Sequence, residues 1–365
     1  MKTLLTSIIM LSTMTTLAAS PDFDTLDRVL KSRYDDPGAP GAAIIIARGD
    51  SIIYERYTGI ADLVTGEKIG PETRLNIASI SKQFTVMALL QQAAIHNPAL
   101  LDQPVSKFFN YPQSWWHDIT LRHLASHTSG VPDTRPRDNR QWCVMADDEQ
   151  SIAYFHTVEA PQFAPGTYYD YLNPSFILLA KVVEQLSGEQ FTSYVDNHVF
   201  APAEMYDTYY FDRTATPPHQ AHAYVPDGDG WKEYDFGEET FFATRPDGGI
   251  YATARDMLRW ENALFGGKIV SAEALRQACT PIVSVTDSPL CDYQRRPYTW
   301  YGLGLFIEKP EGAPLKIYHT GDNGGFQAYV ASYPESDTRI IVLENRADRS
   351  RDDLVQVIDN VLGMR

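Results

Sequence analysis

The chain has 365 residues, room for one large domain or two, and its 44% hydrophobic content supplies a sizeable core. A formal charge of −16 at pH 7 argues against nucleic acid or an anionic membrane as partner. Otherwise that balance gives solubility and names no substrate.

Lys2 followed by the mainly apolar stretch from Leu4 to Leu17 reads as an export signal, too short and too Thr-rich to span a bilayer. Thr16-Leu17-Ala18 offers small residues at the two positions a signal peptidase reads, which places cleavage after Ala18. Pro21 and the charged residues after it argue against an ordinary N-terminal helix. No cysteine lies near the cut and no later stretch reads as a transmembrane helix. The expected mature protein is residues 19–365, exported to the periplasm or medium, with no stable membrane anchor. Of the three cysteines, Cys279 and Cys291 could close a short loop in an oxidising compartment, though an odd number leaves the pairing open.

Asp22 to Arg33 has helical spacing. Ala42 to Ala47 and Ser51 to Thr58, with Arg48-Gly49-Asp50 between them, read as a hairpin. Residues 79 to about 95 form an apolar helix, and Leu121 to His127 ends in a sharp exit through Pro132. Pro174 to Ser187, stopped by Gly188, and Gln190 to Phe200 are further helices. Asp227-Gly228-Asp229-Gly230 lacks the remaining ligands of a calcium loop and reads as a surface turn. Thr253 caps a helix to Leu264, and Ser271 to Ala278 is another. Four strand candidates follow, Tyr301 to Ile307, Leu315 to His319, Phe326 to Tyr333 and Arg339 to Leu343, and Arg351 to Leu362 closes as an amphipathic helix. Two strands at the start and four at the end predict an α+β fold, with an α/β part at about 19–78 and 245–365 interrupted by a mainly helical lobe at about 79–244. Trp115, Trp116, Trp142, Phe241 and Phe242 could line a cleft, though aromatics are more often core.

The chemistry concentrates in Ser79-Ile80-Ser81-Lys82, at the start of the apolar helix. Positions three apart share a helix face, so the Ser79 hydroxyl and Lys82 amine can meet, and a neutral amine can take the serine's proton. A helix start also supplies unpaired N–H groups for a developing oxyanion. In Tyr169-Asp170-Tyr171-Leu172-Asn173, a phenol and a carboxamide two apart in an extended loop point the same way. His319-Thr320-Gly321-Asp322-Asn323-Gly324-Gly325 reads as the end of a strand followed by a Gly-rich turn, whose glycines permit close approach of a ligand. Asp247-Gly248-Gly249 is a tight turn feeding a helix. His123 and His127 have a spacing that zinc enzymes use, but no Glu follows His123 and no metal is expected there.

In this order these motifs resemble the serine β-lactamase and penicillin-binding-protein superfamily, and more closely its class C-like branch of esterases, D-aminopeptidases and carboxypeptidases. The resemblance covers nearly the whole mature chain. It implies a β-lactamase-like fold, an antiparallel sheet packed by helices beside a helical lobe, with the active site in the cleft between them. It implies Ser79 as acylated nucleophile, Lys82 as its base and Tyr171 as proton relay. Asn173, His319, Thr320, Gly321 and Asp322 would bind substrate, with the Ser79 and Asp322 amides as oxyanion hole. Leu121 to Pro132 matches a structural segment of the family. The function implied is an exported serine hydrolase, without cofactor or metal, acting on small esters, amides or D-amino-acid peptides, some peptidoglycan-derived. The alternatives are a class C-like β-lactamase, or a non-catalytic peptidoglycan-binding or self-assembling relative.

His319 stands where lactamases of this group carry a Lys. With an ordinary pKa near 6.5, it predicts poor β-lactam turnover and a preference for anionic substrates that rises below about pH 6.5. The export reading makes its own prediction: intact-mass analysis of protein from the periplasm or medium finds a chain beginning at Ala19. A chain retaining Met1 there, or product confined to the cytoplasm, overturns it.

Overall fold

A computed structural model of the chain describes residues 21–133, 147–212, 214–215, 217–234, 244–291 and 298–364. The export segment, Cys143, Trp142, Phe241 and Phe242 lie outside the described residues. Among those described, the main sheet has eight antiparallel strands. They are β1 (Ala42–Arg48), β2 (Ser51–Thr58), β3 (Val283–Ser284), β4 (Thr299–Tyr301), β5 (Phe306–Glu308), β6 (Lys316–Asn323), β7 (Phe326–Tyr333) and β8 (Thr338–Glu344). The order across the sheet is β3-β4-β5-β6-β7-β8-β1-β2, so the N-terminal hairpin adds onto the last strand of the C-terminal meander.

Side-chain alternation divides the sheet between two layers. From β1, Ala42, Ile44 and Ile46 pack with Leu26 and Leu30 of helix α1 (Phe23–Arg33) and Leu354, Val355 and Ile358 of the C-terminal helix, Arg351–Leu362. Ala43, Ile45 and Ala47 face the other way, into the larger core shared with the remaining helices. A strand covered on both faces reads as an unbroken apolar run, which is why Ala42 to Ala47 carries no alternation. At the centre of the larger core lies helix α2 (Ser81–His96), buried around most of its circumference, against helix α3 (Pro174–Ser187). Pro174 opens α3, and Gly188, at φ 74°, closes it in the left-handed conformation that glycine adopts without strain. Asp22, Thr253 and Ser271 cap their helices through side-chain oxygens, as their residue types predict.

The structure departs from the sequence reading in places and decides between its alternatives in others. Tyr301 to Ile307 is two strands, because the chain turns at Gly302-Leu303-Gly304, where the Leu303 N–H donates to Ala278 and the Gly304 N–H to Ala125. The strand expected to end at His319 continues to Asn323, paired with β7 throughout. Val283–Ser284 adds a short edge strand, and Leu75–Asn76, Ile250–Ala252 and Tyr209–Tyr210 form a small second sheet. Trp116 is fully buried, stacked between Trp115 and Tyr111, and the Trp115 N–H donates to the Glu159 carbonyl, so this pair builds core and not cleft. Cys279 is a free thiol and does not bridge to Cys291. The two residues pack against different clusters, Cys279 on the main core and Cys291 beside Tyr169 and Tyr301.

Helix α4 (Ala254–Phe265) buries Glu261 against the sheet, where it accepts a hydrogen bond from the Ser332 hydroxyl. Burial pushes its carboxyl up to about 7 despite that bond and the Arg339 charge nearby. With the folded pKa above the ordinary 4.5, Glu261 favours the fold most below pH 4.5, and this contribution is lost as pH rises through 7. Glu261→Gln keeps a carbonyl for Ser332 without the charge. It is expected to stabilise the protein by about 1–3 kcal/mol at pH 8 and to be near neutral at pH 4.5, read from urea unfolding at both values. A destabilised variant at pH 8 contradicts this account.

Candidate active site

Ser79 sits in a short 3-10 turn, Ala78–Ile80, that runs directly into α2. Ala78 holds φ at 47°, a conformation uncommon for a residue with a side chain. It is pinned there by Asn76, whose side-chain oxygen accepts the Ala78 N–H at 2.8 Å and an N–H of Asn323 at 3.2 Å. One turn on, Lys82 is fully buried, and its Nζ lies 3.1 Å from Ser79 Oγ and 2.7 Å from the carbonyl oxygen of Asp247. Asp247 lies in the helical turn Arg245–Gly248 and is held by the Thr244 hydroxyl on its carboxylate. Ser79 and Lys82 therefore share one face, as their spacing predicts, and the second anchor on Lys82 Nζ fixes where its nitrogen points.

Tyr171 comes from the loop entering α3, with Lys82 Nζ 4.9 Å from its ring centre. The phenol is half-buried at the rim of the same cluster, and Asn173, also half-buried, follows at the helix entrance. Ser175 secures this entrance by donating its hydroxyl to the carbonyl of Leu172, at 2.6 Å. The loop lies on His127, which is nearly fully buried at φ 56°. Its ring centre is 4.1 Å from that of Tyr171, and its Nδ1 accepts the Leu172 N–H at 3.0 Å. Burial holds the His127 imidazole well below the usual histidine range, with smaller contributions from Lys82 and His319. His123 serves elsewhere, its Nδ1 accepting the Thr120 N–H in the capping box of the helix Leu121–Ala125. His127 lies beyond that helix's end, so the i, i+4 spacing does not put the two on one face.

The opposite wall is β6. Gly321 passes so close to the Ala78–Ile80 turn that a Cβ there would stand 2.2 Å from the Ile77 carbonyl oxygen and 3.1 Å from Ala78 Cβ. This contact places Thr320, Gly321 and Asp322 beside Ser79. Asp322 is exposed, and its carboxylate takes an Arg351 N–H at 3.1 Å; the same nitrogen donates to the Gly321 and Ala328 carbonyls. His319 is buried behind this wall. Its Nδ1 donates to the Thr320 carbonyl at 2.6 Å, and its Nε2 takes the Tyr301 hydroxyl at 3.1 Å. Burial, then the Lys82 charge, pushes its pKa down to about 3. The expected rise in anionic preference below pH 6.5 is thereby corrected. This imidazole is neutral at neutral pH, and both its nitrogens are already engaged.

Sequence reasoning missed Asn76, Asp247 as a carbonyl ligand of Lys82, and His127. Only the turn before α4 drew attention to Asp247, and a backbone acceptor leaves no mark on residue identity. His127 was visible only as half of a metal-like pair.

A family model described as beta-lactamase matches residues 26–362. The chain is 24% identical over 325 residues to penicillin-binding protein 4* of Bacillus subtilis, covering 84% of this chain and 68% of that protein. It is 26% identical over 363 residues to a D-aminopeptidase of Brucella ovis, covering 94% of this chain and 63% of the relative, so it spans less than two thirds of that protein. Among solved structures, the penicillin binding protein from Bacillus halodurans aligns with a TM-score of 0.77 at 26% identity, over 92% of this chain and 99% of that one.

The approach of β6 to the Ala78–Ile80 turn is directly testable. Gly321→Ala must push the strand away from Ile77, and a displacement of about 1 Å at a catalytic group can cost about 10²-fold. The rate at which a fluorophosphonate labels Ser79 is expected to fall by that order in a protein that remains folded. Unchanged labelling would show that the strand's position does not matter to the serine.

Proposed function

Because the chain belongs to the beta-lactamase family of serine hydrolases, we propose that it cleaves small amides, esters or D-amino-acid peptides through an acyl-enzyme on Ser79. The observation that carries this reading is the 3.1 Å approach of the Lys82 amine to the Ser79 hydroxyl. Ser79 Oγ attacks the substrate carbonyl while its proton moves to Lys82, and the oxyanion gathers at backbone N–H groups of the nucleophile turn and of Asp322. The proton then passes by way of Tyr171 to the departing amine or alcohol. Water enters the vacated place, gives a proton back along the same route, and its oxygen breaks the acyl bond to free Ser79. Asn173 holds the substrate's amide or ester group.

The D-aminopeptidase among the relatives supports D-configured amides and peptides as the first class to try. A β-lactamase is the second reading, and His319 weighs against it. A neutral, buried imidazole supplies no fixed charge for the carboxylate of a β-lactam.

Mass spectrometry after fluorophosphonate treatment is expected to place the adduct on Ser79. Lys82→Ala and Tyr171→Phe are expected to lose about 10²–10⁴-fold in turnover while folded. A panel of short-chain p-nitrophenyl esters, D- and L-amino-acid amides and a chromogenic cephalosporin is expected to rank the cephalosporin last. An adduct on Ser81, Ser126 or Ser129, or kcat/KM highest for the cephalosporin, sinks the proposal.

A further inference from the structure

His127 holds the Tyr171 loop from both sides of the tyrosine. Its carbonyl oxygen accepts the Asp170 N–H at 2.8 Å, and its Nδ1 accepts the Leu172 N–H at 3.0 Å. The two amides that flank Tyr171 thus end on a single residue, and the imidazole lies alongside the phenol with ring centres 4.1 Å apart and planes 31° apart. The next carbonyls of this segment continue the clasp: Thr128 accepts the Gly166 N–H, and Gly130 accepts the Gln162 N–H.

We propose that His127 is the positioning residue of the proton relay, fixing where the Tyr171 phenol stands by clamping the backbone on either side of it. The inference rests on the reading of Tyr171 as a proton carrier. Three features favour positioning over plain packing. Nδ1 can accept the Leu172 N–H only when it carries no proton, so the neutral ring bears its hydrogen on Nε2. That Nε2 is buried without a hydrogen-bond partner among the described residues, a cost that Phe or Leu at this place would avoid. The backbone, at φ 56°, is strained for a residue with a Cβ, and this conformation lets one residue offer its carbonyl and its ring to the same loop. Groups facing the ring are Tyr171, Tyr169, Tyr301 and Phe176, with Lys82 and His319 nearby. Burial of the ring favours its neutral, accepting form.

Two variants separate acceptor from volume. His127→Phe keeps a ring and removes the acceptor; His127→Asn keeps an acceptor at the same branch point and tolerates the left-handed backbone. On a D-amino-acid amide or short ester, kcat is expected to fall about 10²-fold in His127→Phe and to recover to within about tenfold of wild type in His127→Asn. Fluorophosphonate labelling of Ser79, whose fluoride leaves without a proton donor, is expected to change less than about threefold in both. The deciding measurement is the double variant His127→Phe/Tyr171→Phe, expected to be no slower than Tyr171→Phe alone within about threefold. Multiplying losses in the double variant, wild-type turnover in His127→Phe, or a folded His127→Asn as slow as His127→Phe each overturn the inference. If His127→Phe does not fold, His127→Gln, whose amide sits one carbon further out, takes its place in the same cycle. A Tyr171→Phe variant with wild-type turnover is a different result: it removes the role given to Tyr171 and is read from that single variant alone.

Discussion

The site depends on a lysine kept out of water. Lys82 has no exposed surface, and its nitrogen is fixed between the Ser79 hydroxyl and the Asp247 carbonyl. A long flexible side chain on a surface helix would sample many positions; burial in α2 leaves it one. That explains why α2 is apolar around most of its circumference, unlike an amphipathic surface helix. The Arg245–Gly248 turn and α3 pack on it, and the Ala78–Ile80 turn that runs into it itself packs against β6. Trp260 extends the arrangement outward, stacking on Phe84 with centroids 4.0 Å apart and donating to Gln83.

The second constraint is electrostatic. Two imidazoles, His127 and His319, share this interior with Lys82, and both are held neutral, chiefly by burial. Were either to ionise near pH 6, it would set a positive charge beside the Lys82 amine in a medium that screens poorly. Their neutrality has a consequence for stability. A histidine whose folded pKa lies below 6.5 favours the fold above that value, and the advantage is lost as pH falls toward the folded pKa. Acid therefore acts on the fold through groups that flank Ser79 and Lys82.

Much of this was legible in the sequence because local signals and tertiary packing agree. Pro174 and Gly188 bound α3 at the residues expected, and Arg351 to Leu362 forms the C-terminal helix without adjustment. Ser79 and Lys82 meet because the helical repeat brings i and i+3 together wherever a helix forms. The glycines of the His319-to-Gly325 stretch were read as a turn, yet most of the stretch is strand. A glycine in a strand reports close approach as readily as a turn, and here Gly321 reports the passage of β6 against Ile77. Which it reports depends on a residue more than two hundred positions away, so no local pattern carries it. The small sheet around Ile250–Ala252 was invisible for the same reason, its strands being two or three residues long and its partners remote.

Backbone strain is placed on both sides of the chemistry. Ala78, next to Ser79, and His127, beneath Tyr171, both hold positive φ with a Cβ in place. Each is over-determined by hydrogen bonds from elsewhere: Asn76 grips the amide of Ala78, while the Tyr171 loop grips the carbonyl and ring of His127. Conformations of this kind cost on the order of 1–3 kcal/mol each and persist only where the surroundings leave no alternative. The surroundings here are the sheet and its two cores, whose central strands β7, β8 and β1 are almost wholly buried and carry little of the chemistry. The buried strands β7, β8 and β1 carry the core, while β6, the Ala78–Ile80 turn and the Tyr171 loop bring the candidate site residues together.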